Sequence, residues 1–342
     1  MFLVAAGLVA LVAGAELIVR FGSRLARRLR VSSMVIGLTI VSIGTSLPEL
    51  AVGIDGMRRG AGSLVVGNIV GSNLVNILLV LGLAAVIRPI LVDTQLVRLD
   101  LPVMAGISVV VLVLALLGPF GFGTGVFLAL AGIAYLVLVL VTARNREAID
   151  PMLDIAAVTG SIPAVNATTV AGSSDIGTGI TEANTIPVSD SPISHEPLRS
   201  GSKWAALDVL LTLAGLGLVL LGAEWLLDGA IGIAEAMGVS ETIIGLTVVA
   251  IGTSVPELAT TLMASIRGDE GIAVGNVLGS CTMNLTLILG VPLLFAGRGG
   301  AVLDPSLIYV NLPILVVVAL LTVVTCLVGR RMTRANGALF ML

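Results

Sequence analysis

Residues 37–49 read GLTIVSIGTSLPE, and residues 245–257 read GLTVVAIGTSVPE. Ten of the thirteen positions agree at an offset of 208, and the three differences are conservative: Ile40/Val248, Ser42/Ala250 and Leu47/Val255. Each copy is an apolar segment that ends in an acid. A carboxylate near the centre of a membrane helix costs about 2.5–3.5 kcal/mol on insertion scales, so an acid kept there twice in the same surroundings points to joint use. The offset extends outward from this segment. LVALVAGAE at 8–16 matches LGLVLLGAE at 216–224, and GNIVGSNLVN at 67–76 matches GNVLGSCTMN at 275–284.

Composition decides that these helices lie in a bilayer. Hydrophobic residues make up 57% of the 342 and charged residues 11%, with mean hydropathy +1.12. Soluble domains carry about 25% charged residues, so this is an integral membrane chain. Apolar runs long enough to cross the hydrocarbon core fall at 2–20, 33–57, 64–87, 99–118, 123–142, 205–228, 241–266, 272–295 and 307–329. The fold class is therefore all-α membrane protein, with nine full spans. The first run has no basic segment before it and recurs inside the chain, so it is a span and not a signal peptide. Cys281 and Cys326 both lie in apolar runs and make no disulfide framework. A net charge of −3 and the lack of basic tracts with aromatics exclude nucleic acid as a partner.

Residues 147–203 change to Ser, Thr, Ala and Pro with scattered charge, and hold the single histidine, His195. Such a stretch buries too little to offset its ordering entropy and reads as a disordered linker. It divides the chain into a first repeat at 1–146, with five spans, and a second at 204–342. Placing the N-terminus outside puts fifteen Lys and Arg in inside loops and three (Arg58, Arg59, Arg298) in outside loops. The linker is then cytoplasmic, in a multi-pass protein of the plasma (inner) membrane. Five spans before the second half make the two GTS-x-PE helices antiparallel, an inverted repeat of the kind transporters use around a midplane site. By that symmetry Gly337–Leu342 begins a tenth span, as Gly125–Leu130 begins the fifth, and the reading expects that span to be cut short.

The chemistry follows from spacing. Pro48 offers no N–H to the carbonyl of Gly44, and Pro256 none to Gly252, so both helices should kink and free backbone oxygens. Thr45, Ser46 and Glu49 share one face, as do Thr253, Ser254 and Glu257. Ser72 and Asn76 stand four apart, as do Ser280 and Asn284, each pair giving a hydroxyl and an amide oxygen. All are hard oxygen ligands, suited to Ca²⁺ and Na⁺. Singly, a Ser, Thr or Asn in a span is ordinary interhelical hydrogen bonding and a Pro is a kink. Repetition of the whole constellation makes a four-helix ion site the better reading. Glu16 and Glu224 also recur and divide evenly between capping and function, whereas Asp55 faces Met263 in the repeat and reads as an interface charge.

These motifs, GTSLPE with GNIVGSNLVN and GTSVPE with GNVLGSCTMN, resemble the sodium/calcium exchangers of the cation/Ca²⁺ antiporter superfamily, prokaryotic type. The likeness covers nearly the whole chain apart from the linker. It implies ten helices in two inverted five-helix halves, with the first and sixth helices sliding. It implies ion ligation at Thr45, Ser46, Glu49, Ser72, Asn76, Thr253, Ser254, Glu257 and Ser280, and by the backbone carbonyls of Ser42 and Ala250. Two positions depart from the pattern: Asn284 stands where such exchangers often have aspartate, and Cys281 replaces the Asn found at Asn73. Glu49 and Glu257 alone then set the central charge, which one Ca²⁺, Na⁺ ions or two protons can balance. The retained GTS hydroxyls favour sodium.

The expected function is a secondary antiporter, not an enzyme, exchanging Ca²⁺ for Na⁺ by alternating access, without a cofactor. Its partners are the lipid bilayer and the transported ions, and a monomer is compatible with the sequence. A Ca²⁺/H⁺ antiporter and a non-transporting membrane protein are the alternatives.

Overall fold

The computed structural model describes residues 2–92, 95–159, 202–237, 252–297, 299–329 and 331–342. Nearly all of them are helical. Helix α1 (Phe2–Leu29) runs past the expected end at residue 20. Its extension is amphipathic: Ser23, Leu25 and Ala26 are buried between arginines, so packing continues the helix where mean hydropathy has already dropped. Arg30, at φ 56, ends it.

Helices α2 (Ser33–Thr45) and α3 (Leu47–Arg58) form one broken span bent by 42°. The break lies at Ser46 (φ −87, ψ 8), and Pro48 falls in the first turn of α3. Its fixed φ and missing N–H suit a helix start and not a helix interior. The second copy behaves alike: Ser254 (φ −90, ψ 1) precedes α8 (Val255–Arg267), with Pro256 in the first turn. The kink expected at each GTS-x-PE is thus a restart, and each glutamate sits in the first turn of a new helix.

The remaining long helices are α4 (Gly62–Ile87), α5 (Leu96–Leu117), α6 (Phe122–Thr159), α7 (Ser202–Ala236), α9 (Glu270–Leu293) and α10 (Leu307–Val328). The chain closes with α11 (Arg334–Phe340), capped by the reciprocal Thr333–Asn336 box. A two-stranded antiparallel pair, β1 (Ile90–Leu91) and β2 (Arg331–Met332), joins the loop after α4 to the start of α11. Among the described residues, seven helices are long and apolar enough to cross a membrane, or eight with the bent pair. The expected span at 241–266 enters the described residues only from Gly252, as the end that becomes α8.

A further boundary also differs from the sequence reading. Residues 147–159, assigned there to the linker, continue α6 to Thr159; Glu147, Ala148, Met152, Leu153, Ala156 and Ala157 are all good helix formers. Residues 160–201, with His195, lie outside the described residues.

Burial ranks the helices by position. The apolar window of α9 is 94% buried, and those of α6, α7 and α10 are 28% buried. The duplicated-motif helix α9 is therefore at the centre, with the plain apolar helices around it. Helices α1 and α7 pack antiparallel along a glycine seam. A Cβ on Gly7 would lie 2.7 Å from the Gly222 carbonyl oxygen, and one on Gly14 would lie 2.7 Å from that of Gly215. The offset of 208 exchanges these two contacts. Leu11, Ala15, Ile18, Leu216, Val219 and Ala223 fill the same seam, in a cluster separate from the main core.

Candidate ion-binding site

Glu49 and Glu257 open α3 and α8 and are 1% and 0% exposed. Each accepts a serine hydroxyl from twenty-three positions downstream: Ser72 Oγ donates to Glu49 Oε1 at 3.4 Å, and Ser280 Oγ to Glu257 Oε1 at 3.4 Å. Glu257 also accepts a hydroxyl from the other half of the chain: Ser46 Oγ donates to Glu257 Oε1 at 3.1 Å, and the hydroxyls of Thr45 and Thr253 lie close to Glu257 and Glu49. The broken helices thus cross-brace one another's acids, and the two carboxyl groups are near enough to interact by charge.

Close helix approach makes this possible. A Cβ on Gly275 would come within 2.5 Å of the Met34 carbonyl oxygen, and one on Gly279 within 2.7 Å of Ser42 Oγ. With α9 pressed onto α2, Ser280 Oγ reaches the Ser42 carbonyl oxygen (3.4 Å), which Thr45 Oγ1 also approaches (3.3 Å). The Ser42 hydroxyl itself turns back onto the Leu38 carbonyl (2.8 Å). The carbonyl of Ser42, and not its hydroxyl, is thus the group turned toward Ser280 and Thr45. Ala250, its counterpart, lies outside the described residues.

Many of these bonds sit at the long edge of hydrogen-bond range, and several oxygens have no partner. Glu49 Oε2, Glu257 Oε2, Ser254 Oγ and both polar atoms of Asn76 and of Asn284 are buried without a hydrogen bond among the described residues. A buried polar atom left unpaired costs about 1–3 kcal/mol, so a group of them around two acids calls for a ligand. Carboxylates, hydroxyls, amide oxygens and a freed carbonyl fit a hard cation carried as cargo. Among the described residues no cluster of three or more His, Cys, Asp or Glu could hold a metal, so the charge of such a cage rests on two glutamates.

Local backbone geometry serves the same end. Asn76 lies in a π-helical segment (Val75–Leu81), Asn284 opens another (Asn284–Ile288), and Ser42 follows a third (Gly37–Val41). Such wide turns are rare and cluster at functional sites. Of the twelve residues singled out in the sequence, the eleven described ones are buried. Ser42, Thr45 and Ser46 of the first half meet Glu257 and Ser280 of the second through the contacts above, whereas no side-chain hydrogen bond joins Asn76, Asn284 or Ser254 to them among the described residues.

The residue not assigned a role in the sequence is Asn276. Fully buried, it donates to Thr261 Oγ1 (3.0 Å) and to the Glu257 carbonyl (3.4 Å), and accepts from Thr45 Oγ1 (3.2 Å). It therefore fixes Thr45 and the turn bearing Glu257. Its recurrence with Asn68 in the GN motifs was the available signal. Glu16 pairs with Arg267, in the last turn of α8, and Asp55 pairs with Arg59 at the exposed end of α3.

A family model described as "Sodium/calcium exchanger protein" matches residues 1–142 and 207–342. The sodium/calcium exchanger MaX1 of Methanosarcina acetivorans is 32% identical over 343 residues, covering 98% of this chain and 93% of its own. The inner membrane protein YrbG of Escherichia coli is 32% identical over 290 residues, 84% of this chain and 77% of its own. The structure of the sodium-calcium exchanger NCX_Mj soaked with 10 mM Na⁺ and zero Ca²⁺ superimposes with a TM-score of 0.76 at 30% identity, covering 99% of this chain and 94% of that one.

Proposed function

The chain belongs to the sodium/calcium exchanger family, a family of cation/Ca²⁺ antiporters, and from that premise we propose that it exchanges Ca²⁺ for Na⁺ at a site shared between its two halves. Glu49 and Glu257 supply the charge. Thr45, Ser46, Ser72, Asn76, Thr253, Ser254, Ser280 and Asn284, with the carbonyls of Ser42 and Ala250, complete an oxygen cage near the membrane midplane. The observation that carries this reading is the group of buried, unpartnered oxygens around the two acids. One Ca²⁺ neutralises two carboxylates, and so do two Na⁺. The two ions compete for the same oxygens, which couples their movement in opposite directions. The N-terminus lies outside and the linker in the cytoplasm, as the distribution of Lys and Arg supports.

Proton coupling is the second reading. Asn284 favours it, because two carboxylates without a third acid can also be neutralised by two protons. The deciding measurement is ⁴⁵Ca²⁺ uptake into proteoliposomes loaded with Na⁺ at equal pH, compared with Na⁺-free vesicles under a pH gradient. Uptake driven by Na⁺ alone supports sodium exchange, uptake driven by the pH gradient alone replaces it with proton exchange, and uptake with neither refutes both.

A further inference from the structure

Four charged residues outside the cage are related by the same offset of 208: Glu16 with Glu224, and Arg59 with Arg267. In one half of this set the ion pair is made. Arg267, at the end of α8, holds Glu16 of α1 through two contacts, Nε to Oε2 at 2.8 Å and Nη2 to Oε1 at 2.7 Å. The related contact would join Arg59, at the end of α3, to Glu224 of α7. That pair is open. Glu224 is exposed and has no ion pair or hydrogen bond among the described residues. Arg59 instead holds Asp55, one turn back on its own helix, at 2.7 Å. The counterpart of Asp55 is Met263, so Arg267 has no acid of its own to fall back on.

The same asymmetry surrounds these pairs. Asp269 accepts hydroxyl bonds from Ser23 of α1 and from Ser33, fastening α1 at the Arg267 end. The counterparts of Asp269 and Ser23 are Ala61 and Ile231, which can form no such bond. Helices α1 and α7 are meanwhile tied to each other, by the glycine seam and by the ion pair of Arg28 with Asp208. They form a unit that polar contacts fasten to the rest at one end and, among the described residues, leave unfastened at the other.

We propose that Glu16–Arg267 and Glu224–Arg59 are alternating latches for the two access states. The inference rests on the antiport reading above. When the α1–α7 unit shifts against the cage helices, Arg267 releases Glu16, and Arg59 exchanges Asp55 for Glu224. The exchange is easy because Arg59 and Asp55 are 75% and 61% exposed, and so weakly held. All four are positioning residues: none belongs to the cage, and each acts through the unit that moves past it.

The test uses disulfide cross-linking of the full-length chain in proteoliposomes, with the pairs E16C/R267C and R59C/E224C. The native Cys281 and Cys326 are buried and give little background. Both pairs are expected to cross-link, with yields that move in opposite senses when a Ca²⁺ gradient is imposed in one direction and then reversed. Each cross-link should stop ⁴⁵Ca²⁺ exchange until it is reduced. Separately, Glu224→Arg should slow exchange by up to about fivefold, the ceiling for an exposed pair, and adding Arg59→Glu should restore it. A chain that exchanges Ca²⁺ while R59C/E224C never cross-links, or while the two yields rise and fall together, overturns the latch alone. A chain that cross-links both pairs in opposition but moves no Ca²⁺ keeps the latch and overturns the antiport reading.

Discussion

Replacing Glu257 by glutamine removes one of the cage's two charges while leaving its shape. The Glu257 Oε1 that accepts Ser46 and Ser280 becomes an amide oxygen that still accepts them, and the new amide nitrogen takes the place of Oε2, which has no partner among the described residues. The loss is therefore electrostatic. At a charge separation of about 3 Å and an effective dielectric near 20, the carboxylate attracts Ca²⁺ by about 11 kcal/mol before desolvation and attracts Na⁺ by about half that. Desolvation offsets most of this, and breaking a buried pair from one side costs about 3–5 kcal/mol in practice. At about 1.4 kcal/mol per decade, Ca²⁺ affinity should fall by roughly two to three and a half decades, and Na⁺ affinity by about half as many. Equilibrium ⁴⁵Ca²⁺ binding with Na⁺ competition on the purified protein reads both numbers, and Na⁺-driven uptake should vanish at micromolar Ca²⁺. Unchanged Ca²⁺ affinity in a folded variant would refute the cage assignment. Equal losses for the two ions would refute the charge argument while leaving the site in place.

Two further outcomes follow from the geometry. Asn276→Ala removes the bonds to Thr261, Thr45 and the Glu257 carbonyl; the Ca²⁺ concentration for half-maximal uptake should rise about tenfold with the maximal rate less affected, consistent with a loss of about 1–3 kcal/mol, and a fall in maximal rate alone would speak against the positioning role. Gly222→Ala places a Cβ 2.7 Å from the Leu11 amide nitrogen and 2.9 Å from the Gly7 carbonyl; parting the α1–α7 seam should cost about 1–3 kcal/mol and lower the thermal midpoint, whereas Gly217→Ala, with open space around it, should leave the midpoint unchanged.

The acids were legible in the sequence because an apolar background makes a repeated carboxylate conspicuous. Glu49 and Glu257, the hydroxyls before them, and a disturbance of each helix at Pro48 and Pro256 could be read from spacing alone, although the reading expected a kink where the structure has a restart. What the spacing could not give was partnership across the chain. Asp269 binds Ser23 from 246 positions away, and Arg267 binds Glu16 from 251; nothing local marks either pair. Helix ends failed for a related reason. Hydropathy registers lipid-facing surface, so it lost α1 at Arg20, where burial of Leu25 and Ala26 against other helices carries the helix on to Leu29. Asn276 stood in a motif already noticed, but its three bonds depend on the approach of α2 and α8 to α9.

The π-helical segments beside Ser42, Asn76 and Asn284 carry a consequence for how this chain tolerates length changes. A π turn holds one residue more than the α turn it replaces, and each residue of an α-helix rotates the chain by about 100°. In α4 the segment Val75–Leu81 holds Asn76 and separates Ser72 from Gly82, whose added Cβ would meet the Gly337 carbonyl at 3.0 Å. Deleting one residue between 77 and 81 would let α4 close into regular helix with better hydrogen bonds, yet it would swing Gly82 about a quarter-turn away from α11 or carry Asn76 off the cage. The wide turn thus acts as a phase spacer, and its extra residue cannot be trimmed even though trimming would make a better helix.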